Sequence, residues 1–341
     1  MTAAGNGAGN GAGPPLLEVE NLVTRFPLPR GLAGSLARRP QAVVHAVEGV
    51  SFTLREGEML ALVGESGCGK TTTAQSVLRL VEPDSGAIRF RGQDITHLGA
   101  RALRPLRREM QMIYQDPYES LDPRFRVKAT VEEPLAVHGL GGTKAERRDR
   151  VLDALARAGL TPPEVYVDRF PHELSGGQRQ RVAIAASLVL NPKLLLADEP
   201  VSMLDVSVRA GVLRLLDGLR GEGLGLVMIT HDLSTASHFA DRIAVMYLGR
   251  IVEEGPAQEV VREPRHPYTR ALLSVVPKAD PRERQRPQIL TGETPDPVHV
   301  PVGCRFHPRC PIAIEECKEV DPELRQPAGA GRDHRAACIR A

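Results

Sequence analysis

Residues 174–178 read Leu174-Ser175-Gly176-Gly177-Gln178, and helical periodicity follows to Leu190. Ser175 is a good helix N-cap, because its hydroxyl can accept a backbone N–H of the first turn. Gly176 and Gly177 allow close backbone approach. The stretch predicts a helix beginning near Gly176 whose positive end attracts an anion. No base and no metal ligand stands beside it. Such an end is half of a site, and makes sense if it closes over a phosphate held by another subunit.

The other half is readable upstream. Gly64-Glu65-Ser66-Gly67-Cys68-Gly69-Lys70-Thr71-Thr72 fits the phosphate-loop pattern in every fixed position. It follows a short apolar run, Met59–Val63, and precedes a helical stretch, Lys70–Leu80, which is the context that pattern needs. Its glycines let backbone N–H groups converge on phosphates at a helix start. Lys70 would bridge the β and γ phosphates and Thr71 would ligate Mg²⁺. The chain has only six Lys, so a compact ammonium here stands out. Cys68 reads as a small packed residue. Downstream, the apolar run Leu194–Ala197 ends in Asp198-Glu199, and a strand-end carboxylate such as Asp198 can hold Mg²⁺ through its water shell. Gln115, in Tyr114-Gln115-Asp116, carries an amide that can ligate Mg²⁺, orient water and sense a γ-phosphate. His231 ends another apolar run, Leu226–Thr230.

The order GESGCGKTT (64–72), YQD (114–116), LSGGQ (174–178), LLLADEP (194–200), SMLD (202–205) and THD (230–232) resembles the ATP-binding cassette (ABC) family over residues 16–262. The resemblance implies an α/β P-loop NTPase with a mixed or parallel sheet and a helical insert at about 116–190. It implies that Glu199 polarises the attacking water, that His231 contacts the γ-phosphate and aligns Glu199, and that Gln115 occupies the Q-loop position. Ser175, Gly176, Gly177 and Gln178 would contact ATP bound by a second cassette, and Asp205 would link the two sites. Phe26 would stack on adenine. Met203 departs from the small residue usual in the family. Residues after Gln115 would dock a coupling helix of a membrane subunit; there Asp122 stands where relatives commonly have Asn.

Several stretches narrow the resemblance to ATP-binding subunits of oligopeptide/dipeptide permeases: the loop 27–41, QDPYESLDPR (115–124), DEPVSMLDVSV (198–208), VMYLGRIVE (245–253), HPYTRALLSVVP (266–277) and GCRFHPRCP (303–311). This implies the ATPase of a peptide importer on the cytoplasmic face of the membrane. Its partners would be a second homologous ATPase subunit, two membrane permease subunits and, indirectly, an extracytoplasmic substrate-binding protein. A transporter for nickel or another small solute is the alternative. A soluble cassette acting on nucleic acid or ribosomes is disfavoured by the single cassette and by 44 basic against 42 acidic residues. No apolar run approaches the roughly 18 residues of a membrane span. Residues 1–15, MTAAGNGAGNGAGPP, have no signal-peptide pattern and read as a flexible tail.

From about residue 263 to 341 Pro is frequent, and periodicity is weak outside Tyr268–Val276. This predicts an extension with at most a small core of its own. It holds four of the five cysteines, Cys304, Cys310, Cys317 and Cys338. In a cytosolic chain these are not expected to be disulfides. Inert thiols, Zn²⁺ and an iron–sulfur cluster are the readings. Zinc sites usually have a tight C-x2–4-C knuckle, absent here, although His307 or His334 could replace a Cys. Clusters tolerate wider spacing. Some similar peptide-permease subunits carry a four-iron cluster on such a tail, and the resemblance implies [4Fe-4S] with a role in holding the extension.

Overall fold

A computed structural model describes residues 14–29, 41–116, 120–276, 288, 290, 292–331 and 333–341. Most of the expected N-terminal tail, the middle of the loop 27–41 and residues 117–119 of the expected docking stretch lie outside the described residues. The chain runs β1 (Leu17–Pro27), β2 (Val43–Leu54), β3 (Met59–Val63), α1 (Lys70–Val77), β4 (Ser85–Phe90), β5 (Gln93–Asp94), α2 (Ala100–Glu109), β6 (Met110–Ile113), α3 (Val127–Val137) and α4 (Lys144–Arg157). It continues through α5 (Gly176–Leu188), β7 (Leu194–Asp198), α6 (Val206–Gly221), β8 (Gly225–Thr230), α7 (Leu233–Phe239), β9 (Arg242–Tyr247), β10 (Arg250–Pro256), α8 (Ala257–Arg262), α9 (Pro267–Ser274) and β11 (Arg335–Ala336).

The short apolar runs become strands buried on both faces, as parallel strands covered by other layers must be. They form a mixed seven-stranded sheet, β11-β10-β9-β3-β8-β7-β6, parallel from β9 to β6 and antiparallel at the β10 and β11 edge. A second, antiparallel sheet has the order β2-β1-β4-β5. The two-residue strand period divides the core. Met59, Ala61 and Val63 of β3 face the helices, whereas Leu60 and Leu62 pack with the antiparallel sheet and α1. Between β6 and β7, α3, α4 and α5 pack together around Val131, Leu135, Val151, Leu155 and Val182.

The helix anticipated to reach Leu80 stops at Val77. Arg79 turns into the left-handed region at φ 55°, and its N–H donates to Ser76 O while Leu80 N–H donates to Gln75 O, both at 2.9 Å. This paired closure satisfies the last carbonyls and ends the helix without a glycine.

The extension after residue 263, expected to have at most a small core of its own, packs into the main core. Tyr268 and Phe306 are fully buried against Tyr247 of β9, with ring centroids 4.8–5.4 Å apart, inside the larger core cluster. β11 adds to the main sheet through β10. Buried Glu253 of β10 accepts from His334 Nε2 at 2.7 Å and from the backbone N–H groups of Arg265 and His266. The extension contributes isolated anchors rather than a periodic face, which is why its sequence reads as loop. Among the described residues no helix is long and apolar enough to cross a membrane.

Candidate active site

Parallel pairing brings four strand ends level. Ile113 lies opposite Ala197, Asp198 opposite Ile229, and Val63 opposite Thr230. The residues that follow each strand therefore collect along one edge, where ligands of open α/β sheets bind.

The phosphate loop leaves β3. A Cβ at Gly64 would lie 2.3 Å from Met246 O, and one at Gly69, whose φ is 102°, would lie 2.1 Å from Ala46 O. Only glycine allows these contacts. Ser66 and Gly67 face solvent. Buried Lys70 arches back over the loop, its Nζ donating to Gly64 O at 2.7 Å and Glu65 O at 2.9 Å. It pairs with no carboxylate among the described residues, so this buried cation is suited to an anionic ligand. Cys68 is buried beside it, Sγ 3.6 Å from Nζ. Burial pushes its thiol up despite Lys70, which suits a packing residue better than a nucleophile. Thr71 and Thr72 open α1, and Thr71 Oγ1 donates to Asp198 Oδ2 at 2.8 Å. Burial raises the Asp198 pKa and the neighbouring Glu199 charge adds to this, against Thr71 and Lys70. A cation at Asp198 would relieve that cost.

Glu199 sits one residue past β7 in the left-handed region, φ 42°. Its N–H donates to Ile229 O at 2.9 Å, and its carbonyl accepts from Ser202 N and Ser202 Oγ at 3.1 Å. Its carboxylate lies between two side chains. Gln115 Nε2 donates to Oε2 at 3.1 Å, and His231 Nδ1 lies 3.3 Å from Oε1. Gln115, Asp198, Glu199, His231 and Thr71 thus form one constellation from four strand ends. A carboxylate flanked by an amide and an imidazole can orient and polarise a water.

Ser175 is the N-cap of α5. Its Oγ accepts from Gln178 N at 3.3 Å, and Gln178 Oε1 accepts from Ser175 N at 3.0 Å. Gly177 makes room for another helix, since a Cβ there would lie 2.4 Å from Val208 Cγ1 of α6. Asp205 caps α6 with no side-chain hydrogen bond to its first turn, and Met203 and Val206 beside it are strongly exposed. The hydrogen bonds around Thr71, Asp198 and Glu199 do not extend to residues 175–178 among the described residues. Phe26 is 38% exposed near the end of β1, opposite Val44. The Asp122 carboxylate is engaged by Arg124 at 2.6 Å, next to exposed Phe125.

Cys304, Cys310, Cys317 and Cys338 line one small cavity together with Phe306, His307 and Ile312. All are reduced thiols. Burial pushes Cys304 up to about 11 and raises Cys310, with the other thiols of the group adding to both. Among the described residues, no group of three or more His, Cys, Asp or Glu is gathered closely enough to hold a metal ion.

One feature of the loop escaped the sequence reading. Glu65 accepts from Arg309 and Thr294, residues more than 200 positions away in the chain. No motif signals such a pairing.

A phosphate loop at the end of a parallel strand, facing strand-end carboxylates, with a helical segment carrying LSGGQ, defines the ATPase cassette of ABC transporters. A family model described as ABC transporter matches residues 47–202, and one described as Oligopeptide/dipeptide transporter, C-terminal region, matches 252–317. The oligopeptide transport ATP-binding protein AppF of Bacillus subtilis is 45% identical over 328 residues, covering 95% of this chain and 96% of that protein. The glutathione import ATP-binding protein GsiA of Pectobacterium atrosepticum is 51% identical over 286 residues, which is 83% of this chain and 45% of that longer protein. Among solved structures, the dimeric post-hydrolysis state of the ATP-binding cassette MJ0796 bound to ADP and Pi matches with TM-score 0.61 and 29% identity, over 71% of this chain and 98% of that one. The chain belongs to the ABC transporter family, as an ATP-binding subunit of the oligopeptide/dipeptide transport type. It is an ATPase of the ABC transporter type; the solved MJ0796 cassette that it resembles is dimeric.

Proposed function

We propose that this chain hydrolyses ATP at the Lys70–Glu199 pocket to drive import of oligopeptides or dipeptides. The observation that carries the reading is Glu199 held between Gln115 and His231, one residue beyond the Asp198–Thr71 pair. The Gly64–Gly69 backbone and the N-terminus of α1 receive the phosphates, and Lys70 exchanges its loop carbonyls for β and γ oxygens. Thr71, Asp198 and Gln115 would hold Mg²⁺, which would supply charge neutralisation on the phosphates. Glu199 orients and polarises the attacking water. His231 steadies Glu199 and meets the γ-phosphate, and Phe26 stacks on adenine. Ser175, Gly176, Gly177 and Gln178 of each cassette close over the ATP of the other, with Asp205 linking the two sites.

Residues 16–262 act as the nucleotide-binding domain, with the insert 116–190 meeting the membrane subunits, and residues 263–341 form the extension. The partner cassette is a homologous but different chain. Two permease subunits hold the pair at the cytoplasmic face, and an extracytoplasmic binding protein delivers the peptide. Co-expression with permease subunits, purification and reconstitution test this reading. Peptide-stimulated ATPase is the expected result. A soluble chain that binds no permease, or a transporter stimulated only by nickel, would overturn it.

We infer that the thiol-lined cavity takes a [4Fe-4S] cluster in preference to a single Zn²⁺. Structural zinc sites usually have a tight C-x2–4-C knuckle, which the spacing of these four cysteines lacks. A multi-iron cluster spans wider gaps between its thiolates. Cys304, Cys310, Cys317 and Cys338 would hold it, and it would supply a cross-link between segments of the extension. Anaerobically purified protein should be brown and contain iron and acid-labile sulfide. Colourless anaerobic protein with stoichiometric zinc, or with four titratable thiols, overturns this part.

A further inference from the structure

We propose that Arg309, with Thr294 and Tyr268, is a positioning residue for the phosphate loop: the extension clasps Glu65 and so sets the affinity for ATP. The inference rests on the reading of that loop as the ATP site.

Arg309 is nearly buried and donates to both Glu65 oxygens, Nη1 to Oε2 at 2.8 Å and Nη2 to Oε1 at 3.2 Å. Such a two-pronged pair fixes orientation as well as distance. Thr294 Oγ1 donates to Glu65 Oε2 at 2.7 Å and accepts from Arg309 Nη1 at 3.2 Å. Glu65 N–H donates to Tyr268 Oη at 2.9 Å. Side chain and backbone of one loop residue are thus held by three separate parts of the extension. Tyr268 is itself locked against Tyr247 and Phe306, and the Arg309 guanidinium lies 5.9 Å from the Tyr247 ring centroid.

Charge makes the clasp necessary. The Glu65 carbonyl already holds the Lys70 ammonium, so its carboxylate belongs to the loop that must accept a triphosphate. A bare carboxylate there would repel that ligand. Burial opposes its ionisation, yet Arg309 and Thr294 outweigh burial and keep it below the ordinary carboxylate range. Arg309 therefore neutralises a charge as well as holding a backbone. It ends the short helical turn His307–Arg309, directly before Cys310, so clasp and thiol cavity share one segment.

The test is ATP affinity of the full chain, measured with a fluorescent ATP analogue, alongside a thermal melt. Arg309→Gln should weaken binding about tenfold, equivalent to about 1.4 kcal/mol. Arg309→Lys, which keeps the charge and loses the fork, should recover part of this. Adding Glu65→Gln to Arg309→Gln should restore affinity to within about threefold of wild type, because the stranded charge is gone. In the assembled transporter the loss should fall on KM for ATP more than on kcat. A folded Arg309→Gln chain binding ATP as wild type does overturns the clasp, as does failure of the double variant to improve on the single. Should Arg309→Gln not fold, Tyr268→Phe decides. It keeps the ring packing, removes the acceptor of Glu65 N–H, and should weaken ATP about threefold; unchanged affinity overturns the proposal. Lys70→Ala is the control, since its failure to weaken ATP binding would remove the ATP site itself.

Discussion

Two helix starts, α1 and α5, share glycines and an N-terminal dipole yet are finished in opposite ways. At α1 the N-cap is Gly69, which offers no side-chain cap, so the first N–H groups remain available to a ligand. Lys70, Thr71 and Asp198 add charge and metal-binding oxygen beside them. At α5 the cap is Ser175, whose hydroxyl and Gln178 satisfy each other's backbone groups. Its second glycine, Gly177, serves contact with Val208. The comparison teaches that a glycine-rich helix start becomes a reaction site only when the strands beside it deliver charge. The α5 start lacks that chemistry among the described residues; in the function proposed above it meets a phosphate bound by a second cassette.

The largest effect that sharpens this contrast is expected at Glu199. Glu199→Gln keeps the contact with Gln115 but removes the carboxylate, and should lower kcat by roughly 10²–10⁴-fold while ATP still binds. Steady-state ATPase of the reconstituted transporter checks it; near-normal turnover would take the catalytic role from Glu199. Lys70→Ala comes next. Losing a charge-assisted contact of about 1.5–3 kcal/mol should weaken ATP binding roughly 10–100-fold in the isolated chain. Nothing comparable should follow at α5 in the isolated chain, where Ser175→Ala should cost only about 1 kcal/mol of stability and leave ATP binding unaltered. A loss of ATP binding by isolated Ser175→Ala would break the distinction between the two helix starts. Gly177→Ala should cost about 1–3 kcal/mol by pressing on Val208. Adding Val208→Ala should recover part of that loss in a denaturant melt; no recovery would take Gly177 out of the α5–α6 contact. Ser175→Ala is the smallest effect of the series.

Legibility followed the locality of the interactions. The strands, the phosphate loop and the cap at Ser175 each depend on neighbours a few residues away, so their types and spacing were readable. Helix ends were less so. The stop after Val77 depends on Arg79 entering the left-handed region, and arginine carries no special signal for it. How the extension attaches was not legible, because its anchors, Tyr268, Phe306 and His334, are single residues whose partners sit on β9 and β10.

The sequence by itself determined that this chain binds a nucleotide, which residues bear charge at the strand ends, and that a second, serine-capped helix start has no such charge beside it. Those properties reside in short motifs whose chemistry is local. Only the tertiary structure decided that Gln115 and His231 flank Glu199, that Gly177 is required by Val208, and that Arg309 and Thr294 hold Glu65. The physical reason is that strand register and buried packing bring together residues separated by 31 to 244 positions, distances over which no sequence period persists.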